Sequence, residues 1–166
     1  MILLRRFLVV QAFLLWQGGF LFYAAVVVPI GTEFLQSPTL QGMITQRVTH
    51  WLNAFGLVWA VIFGWDLFAG HATERRLHKL RCTLWFLCSV LLFGLIGLHR
   101  ELDAMIDFDS ERVLDKQRFR FWHEVYLWVT TIHWVFALVL AFSTLRVWRD
   151  ADRSTPLQSS TLKDSP

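Results

Sequence analysis

The chain alternates between four long apolar blocks and short charged stretches. The blocks cover about residues 7–28, 51–69, 83–98 and 122–142. Each is near the ~20 residues that a helix needs to cross ~30 Å of hydrocarbon. Apolar residues run on without alternating with polar ones, which argues against a membrane β-barrel. The pattern therefore predicts an all-α fold, a four-transmembrane-helix bundle.

The composition agrees with a membrane protein and not with a water-soluble domain. Of the 166 residues, 55% are hydrophobic and only 17% are charged. A soluble domain of this length cannot enclose so much apolar surface in one core. We expect residues 1–149 to form a single transmembrane domain. The polar residues 150–166 lack periodicity, and we expect them to form a disordered cytoplasmic tail.

The first apolar block follows Arg5 and Arg6, as the apolar region of a secretory signal peptide would. The block is longer than such a region, and no clear small-residue cleavage site follows it. We therefore expect this segment to be retained as the first transmembrane helix.

The positive charges predict the orientation of the bundle. Ten of the 16 Lys and Arg residues flank the blocks on the side that would carry both termini, and six lie on the other side. Because cytoplasmic flanks are enriched in Lys and Arg, we expect both termini in the cytoplasm, in a membrane of the bacterial inner (plasma) type. The charges lie at block ends and not along one groove, so nucleic acid is not an expected partner.

Two of the spans have helix-start signals well before their apolar blocks. Ser37 followed by Pro38 is typical of a helix N-terminus, ahead of the second span. Asp109 or Ser110 would cap a helix that runs into the fourth span. The sequence therefore predicts outer-face helical extensions on spans two and four.

Small residues recur at helical spacing within three of the spans. In lipid, helices associate where small side chains let their backbones approach closely. These positions predict close helix packing, either within one bundle or between two copies in a homo-oligomer. They are Gly18, Gly19, Gly56, Ala60, Gly64, Ala137 and Ala141.

Three histidines fall at the predicted outer ends of three spans: His50, His99 and His123. Imidazoles at one depth are suited to bind a copper ion or to serve as axial ligands of haem b. Asp103, one helical turn after His99, would orient that ring; Glu124 and Arg47 are the other charged neighbours. The alternative is that these rings meet headgroups and water at the membrane surface.

Two ionisable residues fall within the spans. His133 lies near the middle of the fourth block, and Asp66 lies near the inner end of the second. Ionisable groups inside a membrane are costly and often functional. The structural interpretations are a neutral His133 bonded to Thr130 or a carbonyl, and an ion pair of Asp66 with Arg75, Arg76 or Arg81.

A family resemblance rests on four stretches, two in each half of the chain. They are WQGGFLFYAAVVVPIGTEFL and QRVTHWLNAFGLV, then LHRELDAMID and RFRFWHEVYLWVTTIHW. They supply Gly18, Gly19 and Pro29, then His99 and Asp103, then Phe119 or Phe121 with His123. Over about residues 10–143 the chain resembles the small four-span, transmembrane protein 205-like family. The spacing between Phe and His departs from the family pattern. The resemblance implies a four-helix fold and no established reaction.

No phosphate-binding loop, nucleophile elbow or zinc-hydrolase motif occurs, so the sequence does not indicate an enzyme. Our leading hypothesis is a non-enzymatic accessory or interaction subunit, embedded in the lipid bilayer with other membrane subunits or copies of itself. One alternative is a haem- or copper-binding redox protein. Another is a small proton-coupled transporter that uses His133, for which we expect a water-accessible cavity reaching mid-membrane.

Overall fold

The computed structural model describes residues 1–69, 75–107 and 112–161, and this part of the chain contains four long helices. They are α1 (Ile2–Leu35), α2 (Pro38–Ala69), α3 (Arg75–Asp103) and α4 (Lys116–Thr161). All four are long and apolar enough to cross a membrane. The predicted all-α architecture with four membrane-spanning segments is confirmed at this level.

The outside of the bundle is apolar. Large hydrophobic side chains stand exposed along the helices, for example Val61, Phe93 and Trp128, each exposed by two thirds or more. Exposed apolar surface of this extent is unfavourable in water but matches the hydrocarbon of a bilayer. The helices therefore place apolar side chains both in the core and on the outer surface, as expected of an integral membrane protein.

The first helix contains two segments with the wider π-helical turn, Leu14–Gly18 and Tyr23–Val27. Pro29 follows the second of them closely and has no N–H to donate to the helix ladder, which favours a local change of hydrogen bonding. In the first segment, the consecutive residues Trp16 and Gln17 are both buried. Single π turns inside α-helices often occur at functional sites.

The turn between α1 and α2 follows the predicted start signal. Gln36 adopts a left-handed conformation with φ of 49°, and it ends α1. Pro38 is the first residue of α2. The Ser37 hydroxyl accepts a hydrogen bond from the backbone N–H of Leu40 at 3.4 Å, so the predicted cap is confirmed.

The start predicted for α4 is wrong. Arg112–Val113 form a short strand that pairs antiparallel with Ile106–Asp107, and the helix begins only at Lys116. The cap is Asp115, whose Oδ1 accepts hydrogen bonds from the N–H groups of Gln117 and Arg118 at 3.1 and 3.0 Å. The caps proposed at Asp109 and Ser110 lie outside the described residues.

The last helix continues past residue 150, where the sequence predicts a disordered tail to begin. Asp152 accepts a hydrogen bond from Arg6 Nη1 at 2.8 Å, which joins α4 to the start of α1. The Arg6 guanidinium also lies over the Trp148 ring, 5.4 Å from its centre. These contacts close the bundle at the end that carries the amino terminus.

Small residues on α2 allow the close approach of α3. A Cβ atom at Gly64 would lie 2.9 Å from the Trp85 ring, and Trp85 Nε1 donates to the Ala60 carbonyl at 2.8 Å. Gly56 likewise faces Leu92 and Trp16. The predicted packing role of this stripe is therefore supported by direct contacts.

The remaining small residues differ among themselves. Ala137 is completely buried, Ala141 is partly buried, and a Cβ at Gly19 would contact Leu52 at 3.6 Å. A Cβ at Gly18 would meet no described atom within 4 Å, because this face of α1 is open. Gly18 therefore does not pack against another helix among the described residues, and of the two predicted uses of this position only contact with a second copy stays a prediction.

Candidate functional site

The interior of the bundle holds a histidine surrounded by aromatic rings. His133, in the middle of α4, is only 1% exposed. Its ring lies 4.8 Å from the Trp16 ring and 6.2 Å from the Trp59 ring, measured between ring centres. Within the described residues, its Nε2 atom has no hydrogen-bond partner. Thr130, one of the partners we considered, instead donates its hydroxyl to the Tyr126 carbonyl at 2.8 Å.

Two buried amide side chains lie around the same space. Gln17 on α1 is 5% exposed, and neither its Nε2 nor its Oε1 has a partner among the described residues. Asn53 on α2 is also buried, with its Nδ2 atom unpartnered there. Buried polar groups are normally hydrogen-bonded, because an unmet group costs about 1–3 kcal/mol. Several such groups together indicate a site that takes up something polar.

These side chains border a small internal space, which we call the central cavity. Its volume is about 20 Å³. A cavity of this size with polar walls accommodates a single water molecule. A water here would meet hydrogen-bonding groups from α1, α2 and α4. The cavity is lined by Trp16, Gln17, Phe20, Thr49, Leu52, Asn53, Leu92, Leu95, Tyr126, Thr130, His133 and Trp134.

A larger and more open pocket lies at the end of the bundle remote from the termini. We call it the distal pocket; its volume is about 380 Å³. Its walls come from α2 and the end of α3, and are Gln46, Arg47, His50, Trp51, His99 and Asp103. His99 Nε2 lies 3.6 Å from Asp103 Oδ2, so the predicted pairing of this carboxylate with the ring is present as a loose contact.

Tyr126 lies between the distal pocket and the central cavity. Its ring centre is 6.5 Å from that of His99, which is part of the distal pocket. Tyr126 also lines the central cavity, together with Asn53 and Thr130. Polar side chains therefore follow one another from the distal pocket to His133.

The predicted metal or haem site is not supported. His123 does not line the distal pocket; its ring stacks on Phe119 at 5.9 Å, and Glu124 is exposed. Among the residues that the structure describes, no group of three or more His, Cys, Asp or Glu side chains is arranged to hold a metal ion. His50 and His99 both line the distal pocket, whereas His123 does not.

Asp66 forms a buried ion cluster at the end of the bundle that carries the termini. Arg81 Nη2 donates to its Oδ2 at 2.9 Å, and Arg5 Nε lies 2.9 Å from its Oδ1. The second contact is a close ion pair without hydrogen-bond geometry. Arg81 Nε also donates to the Thr144 hydroxyl at 3.0 Å. We call Arg5, Asp66, Arg81 and Thr144 the proximal ion cluster; it joins all four helices.

The cluster confirms one prediction and extends it. Arg81 was among the three expected partners of Asp66, and it is the one that the structure brings to the carboxylate. The sequence analysis missed Arg5, which reaches Asp66 from the first turns of α1. It also missed Gln17, Asn53 and Tyr126, since it considered only ionisable groups inside the spans. For Gln17 and Asn53 a signal was available, because each places a neutral amide within an otherwise apolar block.

No family model matches the chain, and neither the curated proteins nor the solved structures include a significant match to it. The resemblance to the transmembrane protein 205-like family therefore stays a prediction.

Proposed function

We propose that the protein handles protons in the membrane, with His133 as the group that takes up a proton from the distal end. The observation that carries this proposal is the set of unpartnered polar atoms around the central cavity: Nε2 of His133, both amide atoms of Gln17 and Nδ2 of Asn53. In hydrocarbon such groups are costly unless they serve a proton, ion or substrate pathway.

The proposed orientation places the distal pocket outside the cell and both termini in the cytoplasm. This orientation is supported by the excess of Lys and Arg at the helix ends that lie on the same side of the membrane as the termini. In this orientation α2 and α4 extend beyond the outer face of a bacterial-type inner membrane. His50, His99 and Asp103 then line a pocket that opens to the outer solution, from which they exchange protons with water.

The residues of the pathway suit proton transfer. A neutral imidazole accepts a proton on one ring nitrogen and releases one from the other. The Tyr126 hydroxyl is both a donor and an acceptor, so it relays a proton without a net charge of its own. One water in the central cavity would link Tyr126, Asn53 and His133. The volume of about 20 Å³ admits water and excludes larger solutes in this conformation.

The route is closed on the other side of His133. Trp59, Phe63 and Leu140 are at most 1% exposed and pack as an apolar layer on that side of His133. We propose that release towards the cytoplasm requires a rearrangement of this layer, which a pH gradient across the membrane is sufficient to drive.

The test uses the purified full chain in liposomes with a pH-sensitive dye inside and an imposed pH gradient. We expect proton entry faster than in protein-free liposomes, and we expect His133→Leu to return it to the protein-free rate. Thr131→Val is the matched control, because Thr131 is exposed on the same helix and donates only to the Leu127 carbonyl at 2.9 Å among the described residues. Equal entry with wild-type protein, His133→Leu and no protein would refute the proposal.

The accessory-subunit hypothesis stays a prediction from sequence. No feature of the described residues singles out one lipid-facing surface for a partner subunit. The haem- or copper-binding alternative is not proposed again, because its three histidines do not converge.

A further inference from the structure

A third space lies beside the proximal ion cluster and is separate from the proton pathway. Its volume is about 250 Å³, and it opens at the end of the bundle that carries the termini. We call it the proximal pocket. It is lined by Ile2, Arg5, Arg6, Asp66, Ala69, Arg81, Val147, Trp148 and Ala151.

The proximal pocket carries an excess of positive charge. Three guanidinium groups line it, those of Arg5, Arg6 and Arg81, against the single carboxylate of Asp66. Asp152 pairs with Arg6 from the rim, where its side chain is 62% exposed. Counting both acids, one positive charge remains without a counter-charge among the described contacts.

The three arginines of this pocket differ in how far their donors are engaged; Arg6 donates Nη1 to Asp152 at 2.8 Å and Nη2 to the Trp148 carbonyl at 3.4 Å. Arg81 uses Nε and Nη2 on Thr144 and Asp66. Arg5, by contrast, approaches Asp66 through Nε, and in the described part of the chain neither of its terminal nitrogens makes a hydrogen bond. A guanidinium whose two terminal nitrogens are free offers one edge that is suited to bind a phosphate group with two parallel hydrogen bonds.

The walls and surroundings of the pocket are apolar. Ile2, Val147, Trp148 and Ala151 contribute to its lining. The start of α1 beside it presents apolar side chains outward, with Ile2 61% and Leu3 82% exposed. Arg5 lies one turn from the start of α1, at the level where a membrane-spanning helix meets headgroups. The arginines inside the pocket are suited to a phosphate group, and the apolar side chains at its rim are suited to the acyl chains attached to that phosphate.

We propose that the proximal pocket binds the phosphate of an anionic phospholipid, with Arg5 as the phosphate-binding side chain and Arg6 as a neighbouring positive charge, since its terminal nitrogens donate to Asp152 and to the Trp148 carbonyl. Free inorganic phosphate shares this chemistry, but the apolar rim favours the lipid. The proposal is independent of proton transfer through His133, since it involves a different space and a different end of the bundle.

The test measures thermal unfolding of the detergent-purified full chain with added phosphatidylglycerol, phosphatidylcholine of the same acyl chains, or inorganic phosphate. We expect phosphatidylglycerol at saturation to raise the midpoint by about 5 °C, and the other two to leave it within about 1 °C. Native mass spectrometry should show one retained phosphatidylglycerol per chain. A rise with inorganic phosphate alone would overturn the lipid assignment.

The variants are compared by the shift that phosphatidylglycerol produces over each variant's own midpoint. Arg5→Gln should abolish the shift, and Arg6→Gln should reduce it. If Arg5→Gln does not fold, the reduced shift of Arg6→Gln is the test. Arg149→Gln is the matched control, because Arg149 is exposed on the same end of α4 and pairs with the adjacent Asp150 at 2.9 Å. Equal shifts with phosphatidylglycerol and phosphatidylcholine, or a full shift in Arg5→Gln or Arg6→Gln, would overturn the proposal.

Discussion

The proximal ion cluster and the central cavity both place polar side chains inside the bundle, yet they treat them in opposite ways. In the cluster, Asp66 meets Arg5 and Arg81 within 2.9 Å, and Arg81 also bonds to Thr144. In the cavity, Gln17 and His133 have buried atoms without described partners. Opposite charges in contact compensate one another inside the bundle, even where Arg5 Nε and Asp66 Oδ1 lack hydrogen-bond geometry, whereas neutral polar groups without partners weaken the fold. The comparison assigns a structural role to the cluster and a functional role to the cavity.

The largest expected effect is the loss of the charge at the centre of the cluster. Asp66→Asn removes the carboxylate and leaves Arg5 and Arg81 close together without it. Breaking a buried ion pair by removing one partner costs about 3–5 kcal/mol, so we expect the free energy of unfolding in detergent micelles to fall by that amount. Asp152→Asn is the control, because this side chain is exposed and its loss should barely move the unfolding midpoint. Equal effects of the two variants would contradict a structural role for the cluster.

The next effect concerns the hydrogen bond that ties the cluster to α4. Thr144→Val keeps the shape of the side chain but leaves Arg81 Nε without its acceptor. Hydrogen bonds to charged groups contribute about 1.5–3 kcal/mol, and we expect a loss of stability in this range by chemical unfolding in micelles. The exposed Thr131→Val should change stability by less than about 0.5 kcal/mol. If Thr144→Val were as mild as its control, Arg81 would not depend on this contact.

A substitution at Gly64, two residues before Asp66, tests the packing near the cluster without changing any of its charges. Gly64→Ala places a methyl group 2.9 Å from the Trp85 ring, which is held by its hydrogen bond to the Ala60 carbonyl. We expect a loss of about 1–2 kcal/mol, since overpacking outweighs the better helix propensity of Ala. Gly94→Ala is the matched control, because a Cβ there would meet no described atom within 4 Å. A neutral Gly64→Ala would show that α2 and α3 can separate at no cost.

The smallest effect on stability, and the sharpest contrast with Asp66, is expected for His133→Leu. It exchanges an unpartnered polar ring for an apolar side chain, which is nearly neutral or stabilising when no hydrogen bond is lost. We expect the free energy of unfolding to change by less than about 1 kcal/mol while proton entry is lost. A destabilisation comparable to that of Asp66→Asn would make His133 a structural residue.

Much of the architecture could be predicted from particular residues. The apolar blocks located all four helices, and Ser37 with Pro38 located the start of α2. Asp66 could be paired with Arg81 because α2 and α3 are joined by a short connection, which brings the end of one helix beside the start of the next. These successes depend on signals that are local or that follow directly from the order of the helices.

The failures share a different cause. His50, His99 and His123 were grouped by predicted depth, but only His50 and His99 line the distal pocket. The start of α4 was misplaced because Arg112 and Val113 pair with the preceding strand. Each error involves a contact with a neighbour that no local pattern in this chain reports.

The sequence by itself determined the number of helices long enough to cross a membrane, their approximate positions in the chain and the start signal of α2. It could do so because the length of an apolar run and the chemistry of a cap act within one segment. Only the tertiary structure decided how each helix is rotated about its axis. In lipid both the buried and the outward faces of a helix are apolar, so hydrophobic periodicity carries little rotational information. That rotation brought Gln17, Asn53 and His133 to one cavity and left His123 outside the distal pocket.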